Sequence, residues 1–284
     1  MRRTVLTAPI WMLVVFLVPP APSSNRSDFG QVEERAKSVL DGKELFLRGF
    51  YCDNHLQFTA DGELLNPSSP GPWTLCGFVK ITSVEFLPDV VEIRATRVVA
   101  IYNKKMKGFE HALTPKEARI QIALAPGADR EAKLGAATQK VFFTAREDFR
   151  KALSDYWNFF FWEAPPEEKL SKLKEWKISS GDEPQTYDGK GTQGHNEPPM
   201  CLWCQDPEYT EFARNARLEG MVKLWCVVDE QGRVNNIVVV EPMGAGLDEQ
   251  AVESVRNWKF KPARRYGQPV PIRMTIEVNF RLGP

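Results

Sequence analysis

Pro271-Ile272-Arg273-Met274-Thr275-Ile276-Glu277-Val278-Asn279-Phe280-Arg281-Leu282 decides the fold, because every even-numbered position is apolar and nearly every odd one polar. A period of two held over that length marks a strand with one face buried and the other in water. The residues ahead of it say what the strand packs on. Asp206-Pro207-Glu208 reads as a helix start: Asp206 as N-cap, Pro207 where its missing N–H costs nothing, and Glu208 facing the positive end of the dipole. Tyr209, Phe212, Ala213 and Ala216 then recur at helical spacing, with Gly220 as the left-handed cap. Residues 221–228 read as a strand with Val222, Leu224, Cys226 and Val228 on one face, turned back by Asp229-Glu230-Gln231-Gly232 into residues 234–240. A second helix follows, its apolar stripe Leu247, Ala251, Val255 and Trp258, with Asp248-Glu249 in the first turn. Gly244-Ala245-Gly246 ahead of that helix lacks a third glycine and follows a hairpin strand, so it does not read as a nucleotide-binding turn.

Helix, strand, strand, helix, strand predicts an α+β domain: a three-stranded antiparallel sheet in the order second, first, last, with two helices on its single apolar face. The last strand then lies at an edge. An edge strand offers unpaired N–H and C=O groups to an extended peptide. The same edge has a plainer reading, in which Arg273, Glu277 and Arg281 on the water face discourage aggregation.

Elsewhere the 284 residues balance 37 Lys plus Arg against 37 Asp plus Glu, and basic residues gather only into pairs such as Lys104-Lys105 and Arg264-Arg265. Nucleic acid as a partner is excluded on that ground, since phosphate binding needs a concentrated positive field. Arg2-Arg3, an apolar run over residues 10–18 and Pro19-Pro20-Ala21-Pro22-Ser23 form an export signal. The run falls short of the roughly 20 apolar residues that span a bilayer. Residues 1–24 therefore read as a signal peptide or, if retained, a short membrane anchor.

Residues 27–163 read as a β-rich domain with flanking helices. Strand-forming stretches occupy 44–51, 55–59, 73–86, 89–102, 119–125 and 139–144, and one helix over 146–161 closes it through Phe149, Leu153, Tyr156, Trp157 and Phe160. No nucleophile motif, phosphate loop or paired-His spacing occurs there, so no catalytic residue, cofactor or metal is assigned. Residues 164–200 read as a linker, helical at most over 167–176. Its nearly apolar-free part, a coil of about 20 residues, would reach some 25 Å on average. The domain of the last strand then covers residues 201–284.

The residues Pro207-x-Tyr209, Ala213-Arg214, Glu219-Gly220-x-Val222, Val227-Val228-Asp229-x-x-Gly232-x-Val234, Gly246-Leu247-Asp248-x-x-Ala251, Trp258-x-Phe260-x-Pro262-Ala263 and Gly267-x-Pro269-Val270, with the alternating end, resemble the C-terminal domain of TonB proteins. The resemblance implies a periplasmic module that grips the "TonB box" peptide of TonB-dependent outer-membrane transporters by strand addition. The contact residues it implies are Arg273, Met274, Thr275, Ile276, Glu277, Val278, Asn279 and Phe280 on the strand, and Asp206, Pro207 and Tyr209 at the helix start. It further implies force from an ExbB/ExbD-type proton-driven motor in the inner membrane, powering transmembrane transport, and a binding protein rather than an enzyme. The chain departs from the family pattern in three ways. Thr210 stands where a second Pro is usual and Asp206 where a Gln often touches the peptide; the long Pro-rich spacer is replaced by the β-rich domain; and no His precedes His55, whereas the family's anchor helix carries one.

Export makes Cys52, Cys76, Cys201 and Cys204 disulfide candidates, with connectivity open, and leaves Cys226 as core filler. Cys201-Leu202-Trp203-Cys204 has three readings: a local disulfide, a redox-active pair, or a metal site with His195. Two alternatives thus stand beside a TonB-like function, an envelope scaffold or sensor that uses the module without a motor, and a thiol oxidoreductase.

Overall fold

The computed structural model describes residues 27–126, 130–143, 146–161, 185–186 and 196–283. The expected leader over 1–24, the helix over 167–176 and His195 lie outside them. The chain divides into two units, Met1–Ala152 and Leu153–Pro284.

In the first unit α1 (Ser27–Leu40) leads into β1 (Glu44–Phe46), a 3-10 turn (Arg48–Phe50), β2 (His55–Phe58), α2 (Trp73–Cys76), β3 (Phe78–Phe86), β4 (Val90–Asn103), β5 (Gly108–Ala123), α3 (Arg130–Val141) and α4 (Arg146–Ala152). Five strands pair in the order β1-β3-β4-β5-β2, antiparallel except for β2 on β5. Leu47, Leu56, Ile81, Ile93, Ile120 and Phe142 form the core, joined by Leu40 of α1 and by Ala137 and Val141 of α3. Of residues 139–144, expected as a strand, 139–141 instead finish α3, because Ala137 and Val141, four apart, turn one helical face to that core, while Phe142 makes a single β-bridge to Leu47. A disulfide joins Cys52 to Cys76. Buried Arg97 donates to the Cys76 carbonyl at 3.1 Å and to the Asp53 carbonyl, so one guanidinium ties down both ends of the bridged loop. Burial pushes its pKa down to about 10, which leaves it charged at neutral pH.

The second unit contains α5 (Asp155–Phe161), β6 (Gln185–Thr186), β7 (Asn196–Glu197), β8 (Met200–Trp203), α6 (Glu211–Asn215), β9 (Gly220–Val228), β10 (Val234–Glu241), α7 (Leu247–Asn257), β11 (Lys259–Lys261), β12 (Ala263–Arg265), β13 (Gln268–Val270) and β14 (Ile272–Phe280). The antiparallel order β10-β9-β14 is the expected one, and β14 pairs with β9 without a break from Ile272↔Val228 to Phe280↔Gly220.

Five expectations are corrected. The single helix over 146–161 breaks at Leu153-Ser154, and its second half, α5, belongs to the C-terminal unit, where it packs against β10. The sheet is apolar on both faces, not one: Leu224, Trp225, Cys226, Val227 and Val228 are all buried, and Phe159 of α5 packs against the cluster of Trp225, Val227 and Val238. The linker is not all coil. β7 and β8 pair with β12 and β11, forming a ribbon of residues 196–203 against 259–265, and β6 adds a fourth, parallel strand beside β14. Finally, Asp206 caps no helix. α6 begins after Thr210, whose Oγ1 accepts from Ala213 N–H at 3.2 Å and donates to the Ala245 carbonyl at 2.8 Å. Gly220 is likewise no helix cap. α6 ends at Asn215 with Arg217 in the left-handed region (φ 50°), and Gly220 opens β9 with the Met243 side chain close against its Cα.

Candidate functional site

β14 alternates as its sequence dictates over its second half: Ile276, Val278 and Phe280 are buried, while Thr275, Glu277 and Asn279 are exposed. Its inner edge is fully bonded to β9. Among the described residues, its outer edge is paired only at Ile272 with Gln185 and Arg273 with Thr186. The main chain of residues 274–280 faces outward beyond that point. Arg273, expected in water, is 3% exposed: its partner across the ladder is Val227, on the sheet face against which Phe159 of α5 packs.

The strand is held in place from behind. Phe280, wholly buried, meets Tyr209 edge-on at 5.3 Å between ring centroids, and the Tyr209 hydroxyl donates to the Leu218 carbonyl at 3.1 Å. Tyr209 thus sits behind the end of the edge strand, while Asp206 is exposed and Pro207 partly so on the loop ahead of α6. Lys223 on β9 bridges Glu241 at 2.8 Å and Glu277 at 3.7 Å, spanning β10, β9 and β14.

The opposite margin of the sheet, β10, is flanked by α5. Trp157 of α5 is 1% exposed and its Nε1–H donates to Glu249 Oε1 at 3.0 Å, while Arg256 lies over the Tyr156 ring at 5.5 Å. Asp248 and Glu249 are therefore not surface charges set on a helix dipole. Asp248 is wholly buried and accepts from Met243 N–H at 2.8 Å and Gly244 N–H at 2.7 Å, folding the turn whose Gly246 (φ 75°) caps α7. Burial lifts the Asp248 carboxyl well above the usual range, the Glu249 charge adds to this, and the two backbone donors oppose it.

Burial raises Glu249 as well, from 4.5 to about 7, against the Trp157 hydrogen bond. The folded unit therefore keeps a proton that the unfolded chain loses near pH 4.5. Stability from this group is complete below that pH and is lost as pH rises through 7, by at most about 3 kcal/mol. Glu249→Gln keeps an acceptor for Trp157 without a charge and should flatten the profile. Thermal unfolding between pH 5 and 8 checks this: the stability difference between variant and wild type should swing toward the variant as pH rises, and a constant difference contradicts it.

The cysteines pair as Cys52–Cys76 and Cys201–Cys204, with Cys226 free and buried. Burial pushes the Cys226 thiol up to about 12, far from a reactive thiolate. No cluster of three or more His, Cys, Asp or Glu capable of holding a metal occurs among the described residues. Nor is any described helix long and apolar enough to cross a membrane. Sequence reasoning missed β6, and it read α5 as the second half of a helix closing the first unit rather than as cover for the C-terminal sheet. For α5 the signal was present: Tyr156, Trp157, Phe159, Phe160 and Phe161 are too many rings for a helix with a single buried stripe.

Residues 205–282 match the family model described as Gram-negative bacterial TonB protein C-terminal. Curated relatives include Protein TonB of Vibrio cholerae serotype O1, 34% identical over 88 residues that cover 31% of this chain and 36% of the relative. Protein TonB of Xanthomonas campestris pv. campestris is 35% identical over 77 residues, covering 27% and 34%. Protein TonB of Escherichia coli K12 is 28% identical over 82 residues, covering 28% and 34%. The solution NMR structure of Pseudomonas aeruginosa TonB CTD aligns over 30% of this chain and 88% of its own, at 23% identity and a TM-score of 0.26. The chain spans about a third of the length of the curated relatives it matches.

Proposed function

We propose, from the premise that residues 205–282 are a domain of the TonB C-terminal family, that this protein is a TonB-like envelope protein. It takes the TonB-box peptide of an outer-membrane transporter as an added strand along residues 274–280. The observation that carries the reading is the outward main chain of β14, which among the described residues is paired only at Ile272 and Arg273. Main-chain hydrogen bonds supply affinity in such an addition, and alternate side chains supply selectivity. Thr275, Glu277 and Asn279 are the exposed set available for that role. The protein works by binding in the periplasm, supports energised transport and carries out no catalysis.

Cysteine cross-linking tests the register. Thr275→Cys and Glu277→Cys, each mixed with a TonB-box peptide bearing one cysteine under mild oxidation, should give a covalent adduct, while Glu253→Cys on the exposed side of α7 should not. Equal yields at all three positions would contradict strand addition at β14.

A second reading is favoured by the folded unit that stands where the family carries a Pro-rich spacer. A five-stranded domain with its own core suits a scaffold or sensor that has borrowed the peptide grip. The two readings part at the N-terminus. A retained residue 1–24 segment suits coupling to an ExbB/ExbD-type inner-membrane motor, whereas a mature chain beginning near Asn25 could not be pulled by one.

A further inference from the structure

The ribbon of residues 196–203 against 259–265 is used by nothing described so far, and it carries large apolar side chains in water. Met200 is 57% exposed, Leu202 67% and Trp203 50%. Their placement follows from the register. Phe260 of β11 turns into the core, at 7% exposure, and pairs with Cys201. Its neighbours Lys259 and Lys261 project to the other side of the pleat, opposite Trp203 and Met200. Leu202 falls at the register shift and has no cross-strand partner among the described residues, so it stands out from the strand. The Cys201–Cys204 disulfide closes a short ring around Leu202 and Trp203. At the far end Tyr266 is 69% exposed, with Arg265 over its ring at 5.7 Å.

Charge decides what fits this surface. Lys259, Lys261, Arg264 and Arg265 face one carboxylate within the ribbon, Glu197, which bridges Lys261 at 3.2 Å. A second copy of the chain, paired edge to edge along β8, would double that positive charge with little to answer it. An anionic bilayer surface answers it and also accepts the apolar side chains. Aliphatic side chains enter the acyl boundary, Trp and Tyr settle at headgroup level, and Lys and Arg meet the phosphates.

We infer that this ribbon is a membrane-surface site that docks the C-terminal unit on anionic phospholipid through Met200, Leu202 and Trp203, flanked by Lys259, Lys261, Arg264 and Arg265. The site is separate from the β14 edge, so it can hold the unit at a leaflet while that edge stays open. The inference does not depend on which peptide the edge takes.

Hydrogen–deuterium exchange on the full chain tests it, with vesicles of phosphatidylglycerol and phosphatidylcholine in equal parts against vesicles of phosphatidylcholine alone. Local readout at residues 200–203 and 259–266 separates the site from residues 1–24, whose insertion would occur in both vesicle types. Exchange there should slow roughly tenfold on anionic vesicles and not on neutral ones, and recover at high salt. Leu202→Ser with Trp203→Ser should abolish the slowing, as should Lys259→Glu with Lys261→Glu, which leaves the apolar residues in place. Three results would overturn the inference: no slowing on anionic vesicles, equal slowing on neutral ones, or slowing that needs no lipid. In the last case, dependence on protein concentration would identify a second copy, and a response to poly-glutamate an acidic peptide.

Discussion

Gly232→Ala is expected to destabilise the C-terminal unit by more than about 4 kcal/mol, a large share of the roughly 5–15 kcal/mol that holds an ordinary domain folded. Gly232 adopts φ 77°, and a Cβ placed on it would lie 1.7 Å from the Phe260 carbonyl oxygen. That contact is with main chain, so no side-chain rotation relieves it. The hairpin and β11 would have to separate, breaking the 2.9 Å bond from Phe260 N–H to the Gly232 carbonyl and lifting Phe260 out of the core. The turn is otherwise well fixed. The Asp229 carboxylate accepts from Gln231 and Arg233 N–H at 3.0 and 2.8 Å, from Arg233 Nε at 2.9 Å and from Asn235 at 3.1 Å. Burial alone would raise Asp229, but these donors outweigh it and hold the carboxyl below its usual value. The hairpin thus cannot yield cheaply. Calorimetry checks this, and a loss under about 1 kcal/mol would mean that the ribbon is not seated on the hairpin.

Trp157→Ala should cost the same unit about 3–5 kcal/mol, the usual range for removing a large buried aromatic. Trp157 packs among Phe160 and Phe161, and its indole N–H is the donor to Glu249 Oε1. Among the described residues Oε2 of the same carboxyl is buried without a side-chain donor, so truncation would remove the one side-chain hydrogen bond this carboxyl receives there. Trp157→Phe restores most of the volume without the donor and should recover most of the packing loss. Denaturant unfolding followed through the C-terminal unit distinguishes the outcomes. If Trp157→Ala leaves that transition unchanged, α5 is not an integral part of the unit.

The architecture around β14 was legible because its signals are local and repeat. Alternation over 272–282, the Gly232 turn and the stripe of α7 give the strand order without tertiary knowledge, and the edge position follows from chain connectivity. The cover on the second face was legible in principle. Leu224-Trp225-Cys226-Val227-Val228 is an unbroken apolar run rather than an alternating one, the mark of a strand buried on both sides. The start of α6 was not. Asp206-Pro207-Glu208 has every local trait of a cap, yet Thr210 prevails because its hydroxyl also reaches Ala245, 35 positions along the chain. β6 left no trace at all, since two polar residues joined through main chain alone carry no side-chain pattern. Arg273 was misplaced because the second face was read as open to water, whereas its ladder partner Val227 lies on the face that α5 covers.

β6 also sets where a visiting strand can begin. Gln185 and Thr186 occupy the first two positions of the outer edge, so a peptide added to β14 starts at Met274 unless it displaces them. The most direct measurement follows the backbone amides of the full chain as a TonB-box peptide is added. Strand addition predicts resonance shifts and slowed exchange concentrated at residues 274–280, with the β10 margin unmoved. Unchanged amides over 274–280 at saturating peptide would contradict it.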